Sequence, residues 1–218
     1  MKVLALVGLS LIALTARGEQ LTVTLLTPPQ INALTTIDEP PPAAVLDPVF
    51  VGSGGTAETL QGIALTDPSQ VPDSLFGVQL NAIRSLPMYC PSGDPRPPCG
   101  NANPALDTIA HSTLVQLIKN YTQLADPTPK DLLILRAAIE ALGIAGFSGG
   151  LPDDVASLVI FLDHASRDVR TTTAKALGNL CNTQAIVPLR TRLQAEHVAQ
   201  VNLAISSALR DLGQCPGN

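Results

Sequence analysis

The sequence predicts an all-α fold, an α-α superhelix of about four stacked helix pairs behind a Pro-rich N-terminal arm. Three observations predict it. One five-position apolar template recurs along the chain, a partner helix precedes each copy, and the composition suits a helical core. Hydrophobic residues make up 45% of the 218 residues, yet aromatics only 3%, with no Trp. A core of Leu, Ile, Val and Ala favours close-packed helices over a β-sandwich, which draws on aromatic and β-branched residues.

The template is clearest in Val169, Thr173, Ala176, Leu177 and Leu180, which fall at i, i+4, i+7, i+8 and i+11 on one helix face. Ser166 is its expected cap, with Asp168 in the first turn. Val201, Ile205, Ala208, Leu209 and Leu212 match 32 residues later, and Ile134, Ala138, Ala141, Leu142 and Ala145 match 35 residues earlier. Val78, Ala82, Ser85, Leu86 and Tyr89 match more loosely, a further 56 residues back. Spacings of 32 and 35 are those of stacked helical repeats.

The partner helices follow in order. A weaker one spans Thr56 to Leu65. Asn103-Pro104 opens the next as N-cap and first helical residue, and that helix runs to about Ala125. Thr128-Pro129-Lys130-Asp131 starts the Ile134 copy, and Leu151-Pro152-Asp153-Asp154 opens a helix with Val155, Leu158, Val159 and Leu162 on one face. Thr183 precedes a helix carrying Ile186, Leu189 and Leu193, whose Pro188 must bend the first turn or move the start later.

The pattern resembles the HEAT repeat, in the short form also found in phycobilisome lyases. Asp168-Val169-Arg170 followed by Ala174, Ala176, Leu177 and Gly178 carries the resemblance, supported by Ile134 with Ala138, Ala141, Leu142 and Gly143. It covers about residues 56–214. The Arg of the family pattern is Arg170 here; the other copies have Gln79, Leu135 and Asn202.

Outside the repeats, the N-terminus reads as a signal peptide over residues 1–18. Lys2 leads an uncharged run from Val3 to Leu14, too short to span a membrane, before Ala16-Arg17-Gly18. Residues 19–55 hold six prolines and no basic side chain, and are expected to be an extended arm. Within it, Leu21 to Leu25 alternates like a short strand with nothing obvious to pair with. Residues 87–103 interrupt the repeats as a loop insertion, and 215–218 form a tail.

Four cysteines in an exported chain suggest two disulfides. No short-spaced Cys or His pairs favour zinc. Of three possible pairings the local one is preferred, Cys90–Cys99 with Cys181–Cys215, because Cys181 and Cys215 follow equivalent leucines near the same end of adjacent helices.

Signals for chemistry are sparse. His111, His164 and His197 have no second His four residues away and are expected at helix ends or on solvated faces. There is no His-Glu dipeptide of the kind by which a HEAT-repeat di-iron hydroxylase family binds metal. Asp153-Asp154 reads as helix N-terminal charge. The stretches 52–55 and 148–150 are glycine-rich but lack the Lys-Ser/Thr of a phosphate loop. No cofactor is expected.

Without residues 1–18 the chain carries 11 basic and 18 acidic side chains, which disfavours nucleic acid as a partner. The sequence therefore points to an exported, secreted or periplasmic, non-catalytic module without a stable membrane anchor. Its expected partner is a protein or peptide. The expected contact surface is the wall of second helices, around Arg84, Glu140, Thr172 and Lys175, with Asn81, Ala137 and Ala204 at an equivalent exposed position. An enzyme accessory or lyase-type subunit and a structural surface protein are the alternatives.

Overall fold

Proline and capping residues set the helix starts, and apolar faces decide how the helices meet. A computed structural model of the chain describes residues 23–36, 39–50, 55–89, 109–145 and 151–215. These residues form ten α-helices and five short 3-10 turns, without a strand among them. The helices are α1 (Pro28–Leu34), α2 (Ala43–Phe50), α3 (Thr56–Ala64), α4 (Asp73–Ser85) and α5 (Ile109–Thr122). They continue as α6 (Pro129–Ala145), α7 (Pro152–Val159), α8 (Arg167–Asn179), α9 (Ile186–Ala195) and α10 (Ala199–Leu212). The signal peptide, the Cys90–Cys99 pair and the Asn103-Pro104 start lie outside the described residues. Among the described residues no helix is long and apolar enough to cross a membrane.

Helices α4, α6, α8 and α10 pack each on the next, in chain order. On their other side α3, α5 and α7 follow one another, and α9 meets the 3-10 turn Ile160–Asp163 that ends α7. The core lies between these two rows. The template face is what the first row turns to it. Val78, Ala82, Ala138, Leu142, Val169, Leu177, Val201 and Ile205 are all buried, while Tyr89 and Leu209, at the margins, are half-buried. Pro188 moves a helix start, as expected: Thr183–Ala185 is a 3-10 turn and α9 begins only at Ile186. Ser166 stands at the N-cap of α8 but makes no side-chain capping bond; its N–H donates to Nδ1 of His164 instead, at 3.0 Å.

The extended arm is corrected at Pro28–Leu34 and Ala43–Phe50, which are helices. Thr27-Pro28-Pro29-Gln30 starts α1, with the Gln30 side chain accepting the Thr27 N–H at 2.9 Å. Prolines at the first helical positions lose no hydrogen bond, so they start helices rather than forbid them. Leu34, Leu46 and Phe50 are fully buried, and α1 packs on α4 while α2 packs on α3. The expected strand is corrected too. Val23–Leu25 is a 3-10 turn, and the buried Val23 donates its N–H to Thr66 Oγ1.

Two glycines let neighbouring helices approach. A Cβ on Gly143 would lie 2.7 Å from Ala176 Cα, and one on Gly178 would lie 2.8 Å from Ala208 Cα. Both neighbours are backbone atoms, so nothing flexible can give way. A Cβ on Gly77, by contrast, meets open space. Gly178→Ala and Gly143→Ala are each expected to destabilise by roughly 1–2 kcal/mol, because an overpacking cost of about 1–3 kcal/mol outweighs a helix-propensity gain of about 1. Gly77→Ala should stabilise by about 0.5–1 kcal/mol. Urea unfolding midpoints check the contrast, and a shift of the same sign at all three positions would refute it.

Cys181 and Cys215 form a disulfide, with Cα atoms 5.6 Å apart. Cys181 ends α8 in the left-handed region, at φ 54, with its N–H on Gly178 O at 3.2 Å. That is the position where helices usually place glycine, since an L side chain costs about 1–2 kcal/mol there. The bridge closes α10 onto α8 across a separation of 34 residues. Cys181→Ala with Cys215→Ala should lower stability by up to about 3.8 kcal/mol. Cys181→Gly with Cys215→Ala should recover about 1 kcal/mol of that, because glycine tolerates the conformation. Equal unfolding midpoints for the two pairs would show that the backbone at Cys181 relaxes.

Candidate functional site

The expected contact surface is the solvent side of α4, α6, α8 and α10. Arg84 sits in the last turn of α4 and faces Glu140 of α6, with Nε 3.9 Å from Oε2, both side chains substantially exposed. Arg136 and Asp168 bridge α6 and α8 in the same way at 4.0 Å. Lys175 is exposed and makes no ion pair among the described residues. Thr172 is half-exposed, but its hydroxyl donates to Asp168 O of its own helix at 2.9 Å. Leu133, Ile144 and Leu203 are exposed apolar side chains of α6 and α10, with Leu203 at 73%.

The second expected row is corrected. Asn81, Ala137 and Ala204 are buried. Each helix of this row has a neighbour at its side, so its exposed strip is narrower than that of a helix packed on one face only. Asn81 has a specific task there. Its Nδ2 donates to Leu34 O at 2.8 Å and Thr36 O at 2.9 Å, closing the carbonyl end of α1.

One recurrent position does polar work inside the fold. Gln79, Arg170 and Asn202 each donate to carbonyls at the turn before their own helix. Gln79 Nε2 reaches Thr66 O at 2.6 Å and Ala64 O at 3.3 Å. Arg170 reaches His164 O at 2.8 Å and Ala165 O at 3.0 Å. Asn202 Nδ2 reaches Glu196 O at 3.3 Å. Helix ends leave carbonyls without partners, and these side chains supply donors. Leu135, the fourth copy, is fully buried; there Asp131 closes the turn by accepting the Thr128 N–H and hydroxyl at 2.7 and 2.6 Å.

Arg170 also holds Glu196 as a two-pronged pair, Nε to Oε2 at 2.7 Å and a terminal nitrogen to Oε1 at 3.1 Å. Arg192 adds a second guanidinium at 2.7 Å and bonds Asp163 at 2.7 Å. Glu196 Oε1 accepts the N–H groups of His197 and Val198, ahead of α10. The Arg170 hydrogen bond, helped by the Val198 N–H and Arg192, brings the Glu196 pKa from 4.5 down to about 2, while burial works against it. Its carboxylate therefore stabilises the fold fully above pH about 4.5, and that contribution is lost as the pH falls towards 2. Glu196→Gln should cost about 3–5 kcal/mol, since Arg170 is left buried without its countercharge. It should also flatten the acid limb of stability against pH. Urea unfolding between pH 2.5 and 7 checks this, and an acid limb as steep as in the parent would reject the assignment.

Two histidines lie at helix ends, as expected, and each is tied down by a side-chain contact. His111 Nε2 lies 2.8 Å from Oδ1 of Asp154, which is buried, so Asp154 links α7 to α5 while Asp153 stays exposed at the helix start. Both acids lie in the first turn of α7, as expected, and Asp154 has this contact besides. His164 Nδ1 accepts the Ser166 N–H, which makes neutral His164 a donor at Nε2 to the Tyr121 hydroxyl at 3.0 Å. Burial, aided by the nearby Arg170 charge, lowers the His164 pKa and keeps that neutral form. His197 is exposed.

A cleft of about 270 Å³ opens where the ends of α3 and α5 meet α4 and α6. Leu65, Leu117 and Ile134 give it apolar walls, with Gln79, Tyr121 and Asp131 among its polar lining. Sequence reasoning did not single out this cleft, because its lining comes from four helices and a turn. The polar residue Gln79 at a position filled by Leu135 and Arg170 in other copies was the available signal.

Among the described residues no group of three or more His, Cys, Asp or Glu could hold a metal ion. No protein-family model matches the chain, and no curated protein matches it.

Proposed function

We propose that the chain is an exported, non-catalytic binding or scaffold module, a HEAT-like α-α superhelix that holds a protein or peptide on the solvent side of α4, α6, α8 and α10. The observation that carries the reading is the make-up of that surface. Its charges answer one another across helices, Arg84 with Glu140 and Arg136 with Asp168, and Leu133, Ile144 and Leu203 stand exposed beside them. Charges paired in this way give an extended partner a polar, nearly neutral track with apolar footholds. With helices about 10 Å apart, the footholds on α6 and α10 stand about 20 Å apart across α8, a span that an extended chain can follow. The Cys181–Cys215 bridge supports an oxidising compartment outside the cytosol.

Exposed charge pairs contribute about 0–1 kcal/mol each, so single changes should weaken binding little. The test is Arg84→Glu combined with Lys175→Glu, measured by calorimetry against a partner recovered by pull-down. The expected outcome is a roughly 10-fold or greater loss of affinity with an unchanged unfolding midpoint. Unchanged affinity in the folded variant would place the contact elsewhere, and turnover of a substrate by the purified protein would reject a non-catalytic role.

A further inference from the structure

His164 stands where three elements meet, in the turn between the 3-10 end of α7 and the start of α8, with α5 against it. Its ring makes two hydrogen bonds at once. Nδ1 accepts the Ser166 N–H at 3.0 Å, and Nε2 lies 3.0 Å from the Tyr121 hydroxyl. A backbone N–H can only donate, so this Nδ1 carries no proton. The proton of the neutral ring is therefore on Nε2, where the Tyr121 oxygen accepts it. The Tyr121 and Phe161 rings flank the imidazole, with centroids 6.0 and 6.4 Å away. The ring is half-buried, so solvent protons can reach it.

A second proton has one place to go, Nδ1. It would then face the Ser166 N–H across 3.0 Å, donor against donor. The imidazole is rigid, so a ring that turns away from Ser166 also withdraws Nε2 from Tyr121. The two contacts are made together and lost together. The surrounding charges do not favour a cationic ring. Arg170 of α8 donates to His164 O at 2.8 Å, and the start of α8 adds the positive end of a helix dipole. Asp163, next in the chain, is held by Arg192 of α9 at 2.7 Å. Asp168 of α8 lies between Arg167 at 3.4 Å and Arg136 of α6 at 4.0 Å. Glu196, ahead of α10, is taken up by Arg170 and Arg192. From α5 the facing group is the Tyr121 hydroxyl itself, which burial and the charge of Asp131 of α6 keep protonated. Among the described residues no carboxylate pairs with the His164 ring.

We propose that His164 is a pH-sensitive catch: neutral, its ring ties the start of α8 to α5, and protonated, it lets go of both. The turn released is the one that sets Asp168 opposite Arg136, so the device acts on the row of exposed helices whatever binds there. Burial, with the Arg170 charge, lowers the His164 pKa from 6.5. The contact is therefore complete above pH 6.5 and is lost as the pH falls through the lower value of the folded protein. Glu196 gives way only between about 4.5 and 2, so the two effects separate along the pH axis.

The experiment is an NMR titration of the purified, nitrogen-15-labelled protein from about pH 8 to about pH 4, in which long-range correlations report the protonation of each His164 nitrogen. Above neutrality the proton should sit on Nε2 alone. On acidification the His164 ring, the Ser166 amide and the Tyr121 ring should shift with one common midpoint below 6.5. Protection of the Ser166 amide from hydrogen exchange should fall roughly 10-fold or more across that midpoint. His164→Asn removes the titration but keeps an oxygen for Ser166, because an Asn side chain accepts the N–H two residues on. Ser166 protection in this variant should no longer depend on pH over the same range. A neutral ring protonated at Nδ1, a midpoint at or above 6.5, or Ser166 and Tyr121 signals that do not follow His164 would overturn the proposal without any variant. So would an equal loss of Ser166 protection in folded His164→Asn. None of these readings involves a partner, so they stand apart from the binding surface around Arg84 and Lys175.

Discussion

The distance between successive helices of the row α4, α6, α8 and α10 is the constraint on which the rest of the structure rests. Gly143 lies against Ala176 and Gly178 against Ala208 so closely that a single added carbon would meet backbone. At these two approaches small residues face each other, Gly143 with Ala176 and Gly178 with Ala208, and both alanines are buried. Dispersion contacts, tiny singly, accumulate along such seams. The close approach also lets Arg84 reach Glu140 and Arg136 reach Asp168 across helices.

Helices packed this tightly turn sharply, and sharp turns leave carbonyls that need donors. One position, the residue after the first of the template, answers that need three times with different chemistry. Gln79 and Asn202 use an amide, and Arg170 uses a guanidinium that also carries the buried Glu196. In the fourth copy the position is the buried Leu135, and the turn is held instead by Asp131, which accepts the Thr128 N–H. The amide leaves a spare oxygen at both Gln79 and Asn202. Of the two, only Gln79 lines the described cleft.

The two ends of the array are finished differently. At the N-terminal end α1 and α2 lie over α4 and α3, and Asn81 fastens α1 by its last carbonyls. At the C-terminal end the disulfide joins α10 back to α8 and holds Cys181 in a backbone conformation usually left to glycine. The covalent bond fixes α10 to α8 in addition to their packing.

Much of the fold was legible in the sequence because the period of apolar residues is a local property. The template at Val169, Val201, Ile134 and Val78 found the four helices of one row, Pro129 found the start of α6 within it, and Pro152 found the start of α7 in the other. The Cys181–Cys215 pairing followed from their places four and six residues past equivalent leucines, near the same end of adjacent helices. Proline content misled at Pro28–Leu34 and Ala43–Phe50. Composition speaks for extended chain, whereas Thr27-Pro28-Pro29-Gln30 is a helix start whose burial depends on α3 and α4. Asn81 and Ala137 misled because a helix wheel separates inside from outside but does not know that neighbours stand on both flanks. The sequence by itself determined which residues turn inward along each helix. Only the tertiary structure decided which of them meet, because a cleft such as that of Gln79, Tyr121 and Asp131 exists only after helices 50 residues apart in the chain have packed at a distance their smallest side chains set.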